Sequence, residues 1–392
     1  MKRFAILAYG FRPFFLLAGV DALFNMTLWL TVYFVPDLWP NDVLASVYWH
    51  AHEMLFGFVG AAIGGFLLTA VPGWTGRQPY AGWPLGVLVA IWLAGRIAML
   101  PWCNIPPLVA AVVDLAFFPA LMIALAPPLL RARKLRNLGF VPVLLALFLA
   151  DLAFHLGNVG VLPDAELAAL NIAVDIVLLL VTVIGGRIIP GFTRNGLVRH
   201  GVHLDITAQP LIDAAAIGAL IAMLFVDIAA PQTGTSGIVA LIAAVFQAFR
   251  LSRWHGHRSF REPLVWVLHA GYAWLVLGLL LKGLWIVAGA SVAANWIHAF
   301  TVGAFATMIL AVMTRASLGH TGRALIAPPA AIGAYVFITL AAVLRVFGPW
   351  CMPNHYTITI ALAGTFWIAA FGLFVMSYGK ILTTSRADGK PG

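Results

Sequence analysis

Two histidines of this chain are the first residues of two copies of the same sequence pattern. His52 and His298 each begin a His-x4-Gly motif, and each motif runs through apolar residues to a Thr-Gly-Arg end, at Arg77 and Arg323. Both copies have the same length, since 77 − 52 and 323 − 298 both equal 25. An internal repeat puts the two histidines at equivalent places. Imidazole is a common ligand of haem iron and copper, so this placement predicts a metal or haem site.

Three further histidines fall in the same half of the predicted apolar segments, namely His50, His155 and His355. Ionisable groups are costly inside a bilayer and generally mark function. His50 and His52 lie about 200° apart on a regular helix, so they cannot face one metal from a continuous helix. Either His50 precedes the helix or the two serve different centres. We expect the metal ligands to come from His50, His52, His155 and His298.

Carboxylates accompany these histidines at helical spacing. Glu53 follows His50 by three residues and Asp151 precedes His155 by four, so each pair shares a helix face. A carboxylate one turn from a ligating histidine usually fixes its tautomer. We expect Glu53, Asp151 and Asp175 to transfer protons. Asp114 and Asp21 have no histidine nearby in sequence, so a buried hydrogen-bonding role is expected for them.

His269 stands apart from the other apolar-segment histidines, nearer the opposite side. It could ligate a second centre, cap a proton path or be a hydrogen-bonded core residue. Three cations in apolar segments, Arg96, Lys282 and Arg345, could pair with haem propionates or with acidic residues.

Arg187 and Arg315 occupy equivalent repeat positions, since 187 − 170 and 315 − 298 both equal 17. Both lie beside glycine or proline breaks, where bent backbone can line a pocket for an anionic group such as a propionate. The alternative is that they are topology determinants.

Composition indicates the elements that must position these residues. The chain is 62% hydrophobic and 9% charged, whereas soluble domains carry about 25% charged residues. Apolar runs long enough to cross a bilayer as helices recur twelve times. They cover residues 14–34, 48–71, 84–101, 106–130, 138–158, 166–189, 207–229, 234–250, 262–288, 293–314, 328–348 and 354–382. This predicts an all-α polytopic membrane protein; the short alternating segments of a membrane barrel are absent.

Basic residues predict the orientation. Of 23 Lys and Arg, only Arg96, Lys282 and Arg345 fall toward the side opposite the termini, which leaves 23 − 3 = 20, including Lys2 and Arg3, on the terminal side. The positive-inside rule then makes both termini cytoplasmic in a bacterial inner membrane. The net charge of +9 is therefore a topology signal and does not indicate nucleic-acid binding.

A weaker third copy of the pattern, at 170–194, has Leu170 in place of the histidine. The copies fall on the second, sixth and tenth segments, so the repeat unit is four helices. We expect one transmembrane domain over 1–392, built from repeats at roughly 1–135, 136–255 and 256–392, in a pseudo-threefold bundle.

Cys103 and Cys351 fall on the outer side of the predicted topology. They could form a disulfide in an oxidising periplasm. Cys351 could instead join Met352 and His355 in a soft copper site. The third reading is two unpaired thiols near helix ends.

Six segments together carry a resemblance to a known family. They are Gly10–Phe15, Trp49–Gly57, Thr69–Arg77, Gly185–Pro190, His269–Trp274 and Met313–Arg323. Over essentially the whole chain the sequence resembles the NnrS family. The resemblance implies a bacterial inner-membrane protein of twelve helices, associated with haem and copper, that accompanies denitrification and the response to nitric oxide. The chain lacks CxxCH, CxxC and Walker A motifs, which disfavours covalent haem and nucleotide-driven transport and leaves non-covalent haem b.

These observations predict a redox-active protein that detoxifies nitric oxide, reducing it to N2O. Haem b would be held by His52 and His298, and copper or a second iron by His50, His155 or both. Electrons would come from a membrane quinol or a periplasmic carrier. The alternative is a non-catalytic haem or copper protein that senses nitric oxide, or protects or transports metal or haem.

Overall fold

The computed structural model describes residues 5–40, 44–132, 135–207 and 209–390. Within these ranges the regular structure is helical, and twelve apolar helices form its framework. They are α1 Phe11–Phe34, α2 Ser46–Thr75, α3 Trp83–Ala98, α4 Pro107–Ala132, α5 Phe140–Asn158, α6 Ala165–Val198, α7 Pro210–Ala229, α8 Gly234–Ser252, α9 Pro263–Ala288, α10 Trp296–His320, α11 Pro329–Cys351 and α12 Tyr356–Thr383. Lys2, Arg3, Arg133 and Lys134, which contribute to the predicted charge asymmetry, lie outside the described residues.

Eleven of the described helices are long and apolar enough to cross a membrane. The chain is therefore a multi-pass membrane protein. The twelfth, α3, has 16 residues and is shorter than the predicted segment 84–101. It ends at Ala98 because Pro101 follows, and a proline restricts the residue before it to extended backbone. Pro101 instead opens a 3-10 turn, Pro101–Cys103.

Short helical pieces fill several of the connections. A four-residue helix, Leu135–Leu138, lies between α4 and α5. The 3-10 turns are Ala5–Leu7, Pro36–Leu38, Pro101–Cys103, Gly256–Arg258, Ser291–Ala293 and Pro353–His355. Several of them begin with proline, whose fixed φ suits the first turn of a helix.

The chain divides into two compact units, with the boundary inside α6 after Ala173. The first unit contains the chain up to Ala173, together with Ala316–Ala324 and the segment from Phe374 onward. The second contains Val174–Arg315 and Leu325–Leu373. The four-helix repeat arrangement stays a prediction.

In the first unit, α1 packs closely on α2 because glycines remove side chains from the contact. A Cβ on Gly65 would lie 2.8 Å from the Phe15 ring, and one on Gly10 would lie 2.3 Å from Leu68 Cβ. Small residues at helix contacts are the usual means of close packing in membranes. α1 is also fastened to the end of α12, where buried Arg12 donates to the Leu382 carbonyl at 3.0 Å.

In the second unit, glycines likewise remove side chains from the contacts of α9 with α8 and α10. A Cβ on Gly283 would lie 2.4 Å from Leu241 Cγ, and one on Gly278 would lie 2.4 Å from the Phe300 ring. The helices therefore approach one another closely at these two glycines.

The two copies of the repeated pattern share an irregularity directly after the histidine. His52 is followed by a π-helical segment, Glu53–Val59, and His298 is followed by another, Ala299–Ala306. π-helical segments are rare and often lie at functional sites. The third copy, within α6, continues as α-helix through these positions.

The Thr-Gly-Arg ends of the two copies are helix terminations of one type. Gly76 and Gly322 have φ of +69° and +70°, the left-handed conformation that glycine adopts without a steric penalty. Arg77 N then donates to Pro72 O at 3.1 Å, and Arg323 N donates to Leu318 O at 3.0 Å. This bond from the residue after the glycine is the Schellman helix cap.

Candidate metal centre

Four buried side chains of the first unit converge on one point. They come from α2, α4 and α5, and they are His52, Asp114, Asp151 and His155. One ligand atom from each lies within 4.8 Å of the others. Each residue is at most 2% exposed. Groups of this kind are kept together in an apolar interior only where their charges are compensated, so the cluster is a candidate cation site.

The Nε2 atoms of both histidines face carboxylate oxygens. His52 Nε2 lies 3.0 Å from Asp151 Oδ1 and 3.2 Å from Asp114 Oδ2. His155 Nε2 lies 3.0 Å from the same Asp114 oxygen and 3.7 Å from Asp151 Oδ1. Ligand atoms bound about 2.1 Å from one ion lie about 3.0–3.4 Å apart, so three of the four distances match the edges of a coordination shell.

A second layer of charged groups orients this cluster. His52 Nδ1 donates to Glu53 Oε1 at 3.0 Å, and Arg96 Nη1 donates to the same oxygen at 2.6 Å. Arg96 Nη2 donates to Asp114 Oδ1, which leaves Oδ2 of that carboxylate facing the histidines. A carboxylate on the far nitrogen of a ligating histidine fixes its tautomer and raises its basicity.

The π-helical segment accounts for the local shape of α2 at the site. Its wider turn changes the backbone hydrogen bonding after His52, and Trp92 of α3 donates from its indole nitrogen to the Gly57 carbonyl at 3.3 Å. A second indole, that of Trp49, donates to the Met99 carbonyl at 2.9 Å and ties α2 to the end of α3. These two bonds bring α3, which carries Arg96, against the start of α2.

Two glycines provide the space that the charged side chains occupy. A Cβ on Gly57 would lie 2.8 Å from Asp21 Oδ2 and 3.0 Å from Arg96 Nη1. A Cβ on Gly95 would lie 2.7 Å from Asp114 Oδ1. Gly57 is the glycine of the first His-x4-Gly motif. A larger residue at this position would collide with Asp21 and Arg96, which explains why the motif has glycine here.

Aromatic rings cover the His52 imidazole. The ring of Phe154 lies 4.5 Å from it and that of Phe56 lies 4.9 Å from it, centroid to centroid. Both phenylalanines are buried. His52 is therefore covered in part by apolar rings, and a low-dielectric surrounding strengthens electrostatic interactions.

The structure brings together five residues that the sequence singled out, namely His52, Glu53, Arg96, Asp151 and His155. Asp114 joins them, although the sequence reading gave it only a buried hydrogen-bonding role. Its nearest polar partners lie far away in sequence, so helical spacing could not find it. The available signal was an isolated carboxylate inside an apolar helix, which marks function by default.

Glu53 contacts a different histidine from the one its spacing suggested. It hydrogen-bonds to the adjacent His52, whereas three-residue spacing paired it with His50. Arg96 Nη1 donates to the same Glu53 oxygen, which holds the carboxylate on the side of His52. His50 instead stacks on the Trp29 ring, with centroids 4.5 Å apart, and does not belong to the four-residue cluster.

The remaining predicted site residues lie in the second unit. Asp175 is 3.6 Å from Lys282 Nζ, which also contacts Asp227 at 2.5 Å. His269 Nε2 is hydrogen-bonded to the Thr193 hydroxyl at 2.8 Å. His298 and Arg187 are half-buried, in α10 and α6.

Three residues considered for other roles lie at helix ends. Cys103 and Cys351 are free and exposed, so the disulfide considered from the sequence is not formed. His355 is exposed in its 3-10 turn.

No curated protein matches this chain. A family model described as NnrS protein matches residues 5–386, which is nearly the whole chain. The motifs that carry the sequence resemblance all fall within that match. The chain belongs to the NnrS family.

Proposed function

We propose that this chain is a metalloprotein of nitric oxide metabolism whose metal is held by His52, Asp114, Asp151 and His155. The observation that carries the proposal is that both ring nitrogens of His52 face carboxylates, at 3.0 Å each for Glu53 and Asp151. A neutral imidazole has one N–H, so it can donate to only one of them. A second ring proton would also serve both carboxylates, but a metal cation between Nε2 and the two aspartates accounts in addition for His155 Nε2 on the same Asp114 oxygen.

The donor set favours iron or zinc over copper(I). Imidazole suits iron, copper and zinc, and carboxylates suit harder ions, whereas copper(I) prefers thiolate and thioether ligands. Sulfur is absent from this cluster. Of the metals expected from the sequence, a second iron therefore fits better here than copper(I). Haem b on His52 and His298 stays a prediction, and the carboxylate contacts of His52 favour its role as a ligand of the metal centre.

The reaction we propose is 2 NO + 2 e⁻ + 2 H⁺ → N2O + H2O, with the electrons from a quinol or a periplasmic carrier. An iron at the cluster would supply a redox-active site for nitric oxide. Phe56 and Phe154 keep water from the histidine ring, and an apolar wall admits a small neutral gas. Glu53 and Asp151 are the candidate proton carriers in contact with His52, beside Asp114, and Asp175 is a further candidate carrier in the second unit.

A non-catalytic role is the second candidate, and the burial of the cluster favours it. Closed sites of four protein ligands are typically structural, whereas catalytic sites keep an open position. In this case the protein would bind or sense nitric oxide, or protect or transport metal or haem, without turnover.

The test combines metal analysis with nitric oxide consumption by the purified, reduced protein. We expect about one non-haem metal per chain, lost in His155→Ala and retained in His50→Ala, because only His155 belongs to the cluster. Nitric oxide consumption that depends on His155 supports the enzyme. A metal-loaded protein that binds nitric oxide without consuming it favours the second role, and wild type without metal contradicts both.

We also propose that the protein lies in the bacterial inner membrane with both termini in the cytoplasm and is built from three four-helix repeats. The charge distribution supports the orientation. The matched π-helical segments and Schellman caps after His52 and His298 support the common origin of the first and third repeats. Reporter fusions at the C-terminus and in the 159–164 loop should report opposite sides of the membrane.

A further inference from the structure

Four arginines are buried among the described residues, and three of them have clear protein partners. Arg12 donates to carbonyl oxygens at the end of α12. Arg96 contacts Glu53 and Asp114, as described above. Arg250 donates to the Asp213 carboxylate at 2.6 Å and to the Thr182 carbonyl at 2.9 Å.

Arg315 is the exception within the described part of the chain. It is 6% exposed, it donates no hydrogen bond to a described residue, and its Nη1 is buried without a partner. Its guanidinium carbon lies 4.0 Å from the centroid of the Phe192 ring. That ring covers one face of the guanidinium, and the buried Nη1 has no hydrogen-bond partner.

The acid that acts on Arg315 electrostatically is already engaged elsewhere. Glu262 accepts from Arg199 Nη2 at 2.5 Å through one oxygen and from His200 Nε2 at 2.8 Å through the other. Arg199 itself acts on Arg315 as a like charge. The charges of Arg199 and Glu262 therefore act on Arg315 in opposite directions, and its own charge has no paired carboxylate.

A buried charge without a paired counterion is strongly destabilising, and this holds for a guanidinium as for a carboxylate. The planar guanidinium presents a fork of donors that matches the two oxygens of a carboxylate or phosphate. Arg315 is 6% exposed, so the residue is not completely enclosed by protein.

We propose that Arg315, backed by Phe192, is the anchor of an oxyanion-binding site. Its ligand is a carboxylate or phosphate group, carried either by a membrane lipid or by a small soluble anion. This site is separate from the metal centre of the proposed function in its residues and in its chemistry, so each can be tested without the other.

The experiment measures thermal unfolding of the protein in a maltoside detergent, which carries no oxyanion. One arm adds sodium phosphate or sodium acetate against sodium chloride of equal ionic strength. The other adds phosphatidylglycerol in mixed micelles, and native mass spectrometry reports any lipid that stays bound. A ligand at 100 times its dissociation constant should raise the wild-type midpoint by about 2–5 °C.

Three variants make the result specific. Arg315→Gln should show no response in either arm, and Arg315→Lys should respond weakly because an ammonium lacks the planar fork. Arg194→Gln removes the same charge from an exposed position of α6 and should respond as wild type does. The arm that responds identifies the source of the oxyanion. If wild type responds in neither arm, or Arg315→Gln responds as strongly as wild type, the proposal is wrong.

Discussion

Asp114 Oδ2 lies 3.0 Å from His155 Nε2 and 3.2 Å from His52 Nε2, so a single carboxylate oxygen contacts two imidazoles. The other oxygen of Asp114 accepts from Arg96. Asp114 thus connects Arg96 of α3 to the histidines of α2 and α5. This makes it the most connected acid of the candidate centre, although its own helix supplies no other member.

Replacing Asp114 should therefore affect both metal content and stability. In Asp114→Asn the metal loses a ligand and Arg96 loses a buried anionic partner. We expect loss of most of the bound metal and destabilisation by about 3–5 kcal/mol, the usual cost of breaking a buried ion pair from one side. Elemental analysis and detergent-solubilised unfolding measure the two effects. Asp37→Asn, an exposed acid of the same unit, is the matched control and should change neither.

Glu53 is expected to tune the centre without ligating it. Glu53→Gln keeps an oxygen that can accept from His52 Nδ1 but removes the negative charge beside it. We expect metal affinity to fall about 10- to 100-fold, with full occupancy recovered at high metal concentration, as for other groups that orient a ligand. Competition with a chelator of known affinity measures this change. Unchanged affinity, with Glu166→Gln as the comparison, would show that Glu53 does not act on the metal.

Gly57 should tolerate no side chain, since its neighbours are the charged groups of the site. In Gly57→Ala the new Cβ would meet Asp21 Oδ2 at 2.8 Å and Arg96 Nη1 at 3.0 Å. We expect a loss of about 1–3 kcal/mol from overpacking, together with weaker metal binding. Gly73→Ala is the matched control, because it lies in the same helix with nothing within 4 Å of the new Cβ. Equal unfolding midpoints for the two variants would contradict this account.

The C-terminal tail should detach from the first unit in acid. Arg386 Nη1 donates to the His320 carbonyl at 2.8 Å and Ala387 N donates to the Thr321 carbonyl at 2.9 Å. Arg386 also donates to Asp388 and holds the pKa of that carboxyl below its usual value. A lowered folded-state pKa means that the contribution is complete above the unfolded-state pKa and is lost as pH falls through the folded-state pKa.

We therefore expect the tail to stay docked at pH 5 and above, to loosen progressively as pH falls below about 4, the usual pKa of an aspartate, and to be released only below the lowered folded-state pKa. A spin label at Lys390→Cys, with Cys103 and Cys351 replaced by alanine, reports tail mobility. Asp388→Asn should be equally mobile at all pH values in this range. A label that stays immobile in Asp388→Asn would show that the carboxylate does not hold the tail.

The candidate site was partly readable from the sequence. His52 and His155 stood out because imidazoles are rare in apolar helices, and Asp151 was paired with His155 by helical spacing. The contacts between residues of different helices could not be predicted from the sequence. Asp114 and Arg96 meet through packing of α3 against α4, where Gly95 leaves room for the aspartate. No local pattern specifies such a contact.

The sequence by itself determined the helices, their approximate limits and their membrane character. Apolar runs of about 20 residues allow no other structure in a bilayer, because every backbone polar group must be satisfied within the segment. It also contains the doubled pattern at 52–77 and 298–323, whose Thr-Gly-Arg ends form Schellman caps because Gly76 and Gly322 can adopt positive φ.

Only the tertiary structure decided which charged groups meet. Glu53 lies against His52 because Arg96, from another helix, shares the same carboxylate oxygen. The approach of α4 and α5 then brings two aspartates to the same imidazole. Helical periodicity orders side chains along one helix, whereas the contacts between helices depend on packing and on where glycines leave space.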